Sequence, residues 1–545
     1  MSYTTLKFLV FVAVIFAVYF LFPAKKYQWT VLLAASYYFY LLTGYRFAVY
    51  ILFTTTTTYL SALWMDSIAQ KAKQTLEENK KIWDRERKKA FKATVKQQKL
   101  RILTATLVLN FGILVFLKYY NFFAGSLNDV LGNFGISFSV PTLQLLLPLG
   151  ISFYTFQSMG YVVDVYREKV SAERNFFKIA LFVSFFPQII QGPIGLYDPL
   201  AKQLYEPHSF DFTRFKHGCM LMLWGYFKKM VIADRALIPL TALTDHYGTL
   251  GGTALTFTML LYALQLYVDF SGGIDISRGV AQVLGIDMAE NFRRPYFSRT
   301  INEYWRRWHM SLGAWMREYV FYPIAVSKTF LDASKKMKKS KFGATPMGAH
   351  VSKVLATSFA SLIVFFLVGV WHGANWKYVG FGLWNGGIIM LSTILEPVLE
   401  SWTKTLRINV DNFFFRLFQL LRTFVVVLIG YVFDVAPDFW SAIISFKKIL
   451  LNQDFSLGLE QIRGLDIGWQ NFDGYDWGLL AACTVFLFFV SLIQERNDGT
   501  TIREMLDKKP FVLRLAVIAA GILAILVFGM YGPGFSAAEF VYMQF

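Results

Sequence analysis

Long apolar runs separated by short polar segments recur along almost the whole chain. The first eight lie at about residues 8–22, 29–43, 48–65, 102–117, 143–163, 176–191, 216–234 and 252–270. Five more follow at about residues 354–372, 376–397, 414–433, 477–494 and 512–530. Because a helix needs about 20 residues to cross a bilayer, this pattern predicts an all-α polytopic membrane protein with about eleven to thirteen transmembrane helices.

The middle of the chain departs from this pattern. Residues 274–286 are apolar but are interrupted by Asp275 and Arg278, which predicts burial in protein or against a wet cavity. Residues 287–325 contain many Arg and Trp without a clean span, which is typical of amphipathic or re-entrant helices. Without an internal repeat or a separable soluble segment, the prediction is one membrane domain. Its parts are N-terminal spans (1–65), a basic segment (66–101), a core (145–390) and C-terminal spans (414–530).

Composition supports the membrane prediction. Charged residues make up 17% of the chain and the mean hydropathy is +0.42, whereas a soluble protein normally has about 25% charged residues. The net charge of +18 comes from basic residues in short segments between apolar runs, as in cytoplasmic loops, so we predict no nucleic-acid partner. The two cysteines, Cys219 and Cys483, show no pairing pattern and no metal-ligand spacing.

The strongest chemical candidate is His372, in Val370-Trp371-His372-Gly373-Ala374-Asn375-Trp376, which closes an apolar run. An ionisable side chain at membrane depth is costly and usually functional. With an unperturbed pKa of about 6.5, a shielded histidine can stay neutral and accept a proton from a hydroxyl. Asn375 could orient the imidazole or donate to an oxyanion. The alternative is a structural histidine that is hydrogen-bonded to a carbonyl at a helix end.

A second histidine, His309, lies in Arg306-Arg307-Trp308-His309-Met310. At helical spacing Trp308 and His309 share one face with Trp305 and Leu312. One hypothesis is that His309 assists the site while Arg306 and Arg307 hold a phosphate or pyrophosphate. The alternative is an interfacial helix that its tryptophans and arginines anchor at the headgroups.

A third segment, Asp269-Phe270-Ser271-Gly272-Gly273, ends a span and could line a ligand passage with Asp269 and Ser271. The chain carries no G-x-S-x-G elbow, P-loop, H-E-x-x-H motif or dinucleotide fingerprint. Serine hydrolases, nucleotide-driven pumps and zinc proteases therefore receive no support. We predict neither a metal site nor a bound cofactor.

Together these segments resemble the membrane-bound O-acyltransferase family, and in particular its branch of bacterial alginate O-acetyltransferases. The resemblance covers about residues 145–390 and rests on motifs in the family's order: Pro148-Leu149-Gly150-Ile151-Ser152-Phe153-Tyr154-Thr155-Phe156-Gln157, Phe185-Phe186-Pro187-Gln188, Asp269-Phe270-Ser271-Gly272, Glu290-Asn291-Phe292, Asn302-Glu303-Tyr304-Trp305-Arg306-Arg307-Trp308-His309 and Trp371-His372-Gly373-Ala374-Asn375-Trp376. Tyr304 replaces a common phenylalanine. Where family members often carry Phe-Phe-Arg-Ala, this chain has Phe433-Asp434-Val435-Ala436, so we predict no site in that segment.

The resemblance implies a ring of tilted helices around a central funnel, with His372 as the signature histidine and His309 as the second motif histidine. Trp308 and Trp371 flank them as candidate substrate-binding residues. It further implies transfer of an acyl group, in the first place acetyl, from a cytoplasmic thioester donor to a hydroxyl. The donor would be acetyl-CoA or an acyl carrier protein. By its own composition, the basic segment 66–101 is either a solvated cytoplasmic helix or helical hairpin at the membrane surface or a docking surface for an acyl carrier or anionic lipid. The expected acceptor is an extracellular or cell-wall polysaccharide, reached from the cell membrane with an extracytoplasmic acetyltransferase- or esterase-like partner.

Three alternatives stay open. One is D-alanyl transfer to teichoic acid from a carrier protein, which the Gly373-Ala374-Asn375-Trp376 sequence disfavours because that branch usually has Leu-Thr in the middle two positions. Another is a transporter or flippase with Asp269, Arg278 and His372 along the substrate path. That hypothesis would favour internal repeats. The last is a non-catalytic scaffold, in which both histidines are dispensable.

Overall fold

The computed structural model describes residues 2–189, 191–464, 472–497 and 499–531. Within these ranges the chain forms helices and no strand, apart from one isolated antiparallel bridge between Phe292 and Trp308. The predicted all-α class is therefore confirmed. The chain divides into two compact units, one of Met1–Cys219 with Ser277–Ala289 and the other of Met220–Ile276 with Glu290–Phe545. The single-domain assignment stays a prediction, and its C-terminal part includes residues 465–471 and 498, which lie outside the described residues.

The first unit contains the N-terminal helices. They are α1 (Leu6–Leu21), α2 (Gln28–Leu41), α3 (Ala48–Glu78), α4 (Arg85–Asn133), α5 (Ile151–Tyr166), α6 (Phe176–Ser184), α7 (Phe186–Ile189) and α8 (Tyr197–Tyr205), and α9 (Phe212–Tyr226) continues into the second unit. Both α3 and α4 extend well beyond their apolar runs. The side chain of Asp84 caps α4 by accepting a hydrogen bond from the Arg87 amide. The basic segment 66–101 is therefore a helical hairpin.

The span predicted at 143–163 is wrong in its first part. Residues 136–148 form no helix, and α5 begins only after Gly150, whose φ of 68° is left-handed. The extended segment is held by side chains of α4: Asn128 exchanges two hydrogen bonds with the backbone of Val140, and Asn121 exchanges two with that of Leu143. These amides satisfy backbone groups that would otherwise favour a helix.

The second unit contains the remaining helices. They are α10 (Asp234–Asp245), α11 (Gly252–Val283), α12 (Ile301–Arg307), α13 (Met310–Met316), α14 (Tyr322–Ala325), α15 (Lys328–Lys338), α16 (Pro346–His372), α17 (Trp376–Ile394), α18 (Glu396–Thr405), α19 (Phe413–Val435), α20 (Phe439–Leu451), α21 (Phe455–Arg463), α22 (Gly474–Arg496), α23 (Ile502–Asp507) and α24 (Phe511–Phe528), with the end of α11 in the first unit. A π-helical stretch, Phe227–Ala233, joins α9 to α10. As predicted, 287–325 forms short helices without a long span, and the apolar residues of 274–286 are buried.

Six helices among the described residues are long and apolar enough to cross a membrane: α4, α11, α16, α19, α22 and α24. A seventh span results if α17 and α18, bent by 58°, count as one. In α24 none of the apolar window is buried, whereas 61% of that of α11 is buried. Apolar side chains that the protein leaves uncovered are suited to lipid. The chain is a multi-pass membrane protein, and the larger predicted span count stays a prediction.

Candidate active site

His372 is the last residue of α16, which forms a tight hairpin with α17. Glycines allow this close approach. A Cβ added at Gly369 would lie 2.3 Å from the carbonyl oxygen of Tyr378, and one at Gly382 would lie 2.5 Å from that of Phe365. Small residues at such contacts let helix backbones pack closely in membranes. The end of α16 that carries His372 is therefore held firmly against α17.

The turn after His372 is equally tight. A Cβ at Gly373 would lie 2.2 Å from the ring of Tyr378, so only glycine fits there without displacing the ring. Asn375 is the N-cap of α17, and its Oδ1 accepts a hydrogen bond from the Lys377 amide at 3.0 Å. Asn375 thus has a structural role, and its predicted contribution to the oxyanion stays a prediction.

His309 lies in a break between α12 and α13, in the left-handed conformation with φ 44° and ψ 53°. The prediction that Trp305, Trp308, His309 and Leu312 share one helical face is therefore wrong. The cause is a second segment that pairs with the break. Asn291 accepts hydrogen bonds from the amides of Met310 (3.0 Å) and Ser311 (2.9 Å). These hydrogen bonds replace those that would continue α12 as a helix, and His309 is buried at the break.

The two histidines lie in the same unit and share a tryptophan neighbour. The ring of Trp371 has its centroid 6.1 Å from that of His309 and 5.5 Å from that of His372. Phe270 packs edge-on against His309 at 4.8 Å. His309, which lies outside the six long spans, is 2% exposed, and burial in the protein lowers its pKa to about 3. His309 is therefore neutral at physiological pH.

A narrow aromatic cleft opens beside His372. Its free volume of about 10 Å³ is about what one water molecule needs. The cleft is lined by Tyr262, Leu266, Trp305, Trp308, His372, Phe381, Tyr431 and Asp434. Two of these residues, His372 and Trp308, were predicted from the sequence as site residues. Their roles in substrate binding or catalysis stay predictions.

Asp434, in the last turn of α19, is a residue that the sequence prediction missed. Its Oδ1 lies 3.9 Å from Nδ1 of His372, and the two side chains are 3% and 9% exposed. The segment lacks the arginine that family members often carry there, and for this reason the sequence predicts no site in it. The available signal was an acidic residue at the end of an apolar run, where a charge is costly.

Hydrogen bonds between aromatic residues hold the cleft wall. The hydroxyl of Tyr431 lies 2.8 Å from that of Tyr304 and 3.2 Å from that of Tyr296, which in turn donates to the carbonyl of Ala263. The indole of Trp305 donates to Asn385 at 3.2 Å. Satisfied buried polar groups of this kind rigidify their surroundings. The cleft is therefore preorganised before any ligand binds.

Asp269 and Ser271 are buried elsewhere in the second unit. Asp269 lies 2.6 Å from Nζ of Lys229, and Ser271 accepts a hydrogen bond from Lys228 at 2.8 Å. We call this group the ion cluster; it consists of Lys228, Lys229, Asp234, Asp269, Ser271 and Asp275. Neither Asp269 nor Ser271 lines the cleft, and their predicted part in substrate binding stays a prediction.

The two arginines before His309 differ. Arg306 is exposed, whereas Arg307 forms ion pairs with Glu303 (2.6 Å) and Glu495 (2.9 Å). The predicted phosphate contacts of Arg306 and Arg307 stay predictions. Among the described residues no three His, Cys, Asp or Glu side chains are grouped to hold a metal ion.

Comparison with known proteins places this site in a family. Residues 37–347 match the MBOAT, membrane-bound O-acyltransferase family. The chain is 32% identical to the probable alginate O-acetylase AlgI of Azotobacter vinelandii over 381 residues, 68% of either chain. It is 29% identical to the peptidoglycan O-acetyltransferase of Helicobacter pylori over 378 residues (63% of each) and 27% identical to the teichoic acid D-alanyltransferase of Bacillus subtilis over 308 residues (54% of this chain, 71% of the other). Spans, paired histidines and relatives agree: the chain belongs to the membrane-bound O-acyltransferase family, as an O-acyltransferase of the cell membrane that uses an acyl donor as co-substrate.

Proposed function

We propose that the protein serves the O-acetylation of an extracellular or cell-wall polysaccharide, with an acetyl group taken from a cytoplasmic thioester. His372 acts as general base and takes the proton of a hydroxyl. The hydroxyl oxygen bonds to the thioester carbonyl carbon, the carbon–sulfur bond breaks, and the sulfur leaves as a thiol that receives the proton. General base catalysis of this kind contributes about 10²–10⁴-fold to the rate.

The observation that carries this proposal is the position of His372. Its imidazole is buried at the end of a membrane helix, yet it borders a cleft. Shielding from bulk water keeps an imidazole neutral and protects a reactive thioester from hydrolysis. His309 is neutral and also lies beside Trp371, and we propose that it is the second histidine of the site and positions a reacting group by hydrogen bonding.

The named relatives support a small acyl group. Relatives that are 32% and 29% identical are named as an alginate O-acetylase and a peptidoglycan O-acetyltransferase. On this basis we propose a polysaccharide acceptor outside the cell. An extracytoplasmic acetyltransferase- or esterase-like partner completes the transfer.

For the donor we propose acetyl-CoA or an acyl carrier protein. Both are anionic, and the hairpin of α3 and α4 exposes many basic side chains to meet such a donor: Lys71, Lys73, Lys80, Lys81, Arg85, Arg87, Lys89, Lys92, Lys96 and Arg101. Complementary charge of this kind accelerates association and weakens with salt. Comparing acetyl transfer from acetyl-CoA and from an acetylated carrier protein to the purified protein distinguishes the two donors.

The test measures the ester content of surface polysaccharide, with mass identification of the ester, in cells that carry wild type or His372→Ala at equal membrane levels. We expect loss of an acetyl ester. The matched control is His246→Ala, because His246 is exposed on α10's end and should leave the ester unchanged. Loss of a D-alanyl ester instead would show that the transferred group is D-alanyl and not acetyl. Unchanged esters of every kind would overturn the proposal and favour a transporter or scaffold.

A further inference from the structure

The carboxylate of Asp434 is a buried acidic group that the proposed function does not use. It lies in the wall of the cleft, where Oδ1 has no hydrogen-bond partner among the described residues and stands 3.9 Å from Nδ1 of His372. Burial of a charge costs several kcal/mol unless a partner compensates it. A buried carboxylate in the wall of the cleft is therefore a candidate for a role in the reaction.

The backbone around Asp434 is fixed by Lys377. The ammonium of Lys377 donates to the carbonyl oxygens of Asp434 (2.8 Å) and Ala436 (2.7 Å). It thereby satisfies carbonyls at the C-terminal end of α19, where a cation is favoured by the helix dipole. These two hydrogen bonds link the start of α17 to the end of α19, and they fix the backbone position from which the Asp434 side chain faces His372.

Aromatic rings restrict the imidazole on its other sides. The ring centroids of Phe381, Trp371 and Tyr378 lie 4.9, 5.5 and 6.2 Å from that of His372. Rotation of the imidazole is therefore limited, and the edge that carries Nδ1 is the one facing Asp434.

We propose that Asp434 is a positioning residue for His372. Its carboxylate accepts the Nδ1–H of the imidazole, which selects the tautomer whose Nε2 is free to take the proton of the substrate hydroxyl. A shift of about 1 Å brings the two atoms within hydrogen-bond range, and catalytic hydrogen bonds commonly shorten when substrate binds. Once Nε2 is protonated, the carboxylate stabilises the imidazolium.

The proposal rests on the proposed function of His372 and deepens it. Asp434 lies in the segment where family members often carry Phe-Phe-Arg-Ala, so the family pattern does not supply this carboxylate. The chain combines its own acidic residue with the shared histidine.

The test compares Asp434→Asn, Asp434→Glu and wild type as purified full-length protein in an acyl-transfer assay, with thermal unfolding as the measure of folding. For Asp434→Asn we expect kcat to fall about 10- to 100-fold with KM unchanged, because the amide no longer stabilises the imidazolium. Asp434→Glu restores the charge and should recover part of kcat. In a His372→Ala background Asp434→Asn should cause no further loss, since the two residues act as one unit.

Asp438→Asn is the matched control. Asp438 lies four residues further on and caps α20 with its side chain, and asparagine caps equally well. Its kcat should equal that of wild type. A kcat within twofold of wild type for Asp434→Asn, while His372→Ala keeps only a small residual activity, would overturn the role of Asp434 and leave the proposed function standing.

Two further outcomes separate the proposals. Full activity of His372→Ala would overturn the proposed function itself. If Asp434→Asn does not fold, Asp434→Glu and Asp434→Ser decide: higher activity of the glutamate variant supports the positioning role, and equal activity of the two overturns it.

Discussion

The second unit buries two sets of polar side chains that differ in geometry. In the ion cluster, Lys229 lies 2.6 Å from Asp269 and 2.9 Å from Asp234, and all three side chains are at most 2% exposed. Beside the cleft, His372 and Asp434 approach only to 3.9 Å and border free volume. Short ion pairs therefore hold the ion cluster together, whereas the pair beside the cleft leaves space for a third group.

This difference indicates separate roles. Short buried ion pairs satisfy one another and stabilise a fixed arrangement of helices, although replacing such pairs by apolar groups can also be tolerated. A buried histidine and a buried carboxylate that face each other in the wall of a cleft are candidates for a functional site. We therefore expect changes in the ion cluster to act on stability and changes at the cleft to act on catalysis.

The largest stability effect is expected for Lys229→Met. Methionine keeps most of the volume but removes the ammonium that lies within 3 Å of two buried carboxylates. Removing one partner of a buried ion pair costs about 3–5 kcal/mol, so the variant should unfold at a much lower temperature in detergent.

A combined variant provides the control. Adding Asp269→Asn to Lys229→Met should restore part of the stability, because a buried charge is then removed together with its partner. A Lys229→Met protein with wild-type unfolding but no acyl transfer would contradict the comparison and give the ion cluster a catalytic role.

An intermediate effect is expected from pH at His309. Its folded-state pKa of about 3 lies below the unfolded value of about 6.5, so the unfolded chain binds the extra proton between these values. The contribution of His309 to the free energy of unfolding is fully present above pH 6.5. It declines as the pH falls towards 3, by up to about 1.4 kcal/mol per pH unit.

The measurement is the free energy of unfolding at pH 6.5 and 4.5 for wild type, His309→Gln and the exposed-site control His246→Gln. We expect His309→Gln to reduce the pH dependence and His246→Gln to preserve it. Identical slopes in all three proteins would contradict a buried, neutral His309.

The smallest effect is expected for Asn375→Ala, which removes the N-cap of α17. Loss of such a cap costs about 1 kcal/mol, whereas Asn375→Asp keeps the capping oxygen and should keep the stability. Thermal unfolding measures this difference. The acyl-transfer rate of Asn375→Asp then tests the separate prediction for the oxyanion: a wild-type rate in this variant would leave Asn375 with the capping role alone.

The sequence alone determined that the protein is an all-α membrane protein, and it singled out His372 and His309 among the six histidines as candidates for the site. Long apolar runs have no stable place in water, so they specify membrane helices whatever their arrangement. The sequence indicates His372 because an ionisable group at the end of such a run is rare, and it indicates His309 because that residue lies among arginines and tryptophans. Because apolar runs specify membrane helices directly, α17, α19 and α22 lie close to their predicted runs.

Tertiary structure decided what these residues contact. Periodicity predicted one helical face through Trp308 and His309, but Asn291, eighteen residues before His309, supplies hydrogen bonds that break the helix there. The approach of Asp434 to His372 joins residues that are 62 positions apart in sequence. Local pattern reports which side chains avoid water, whereas the partner of a buried polar group depends on how distant helices pack, and only the folded chain decides that.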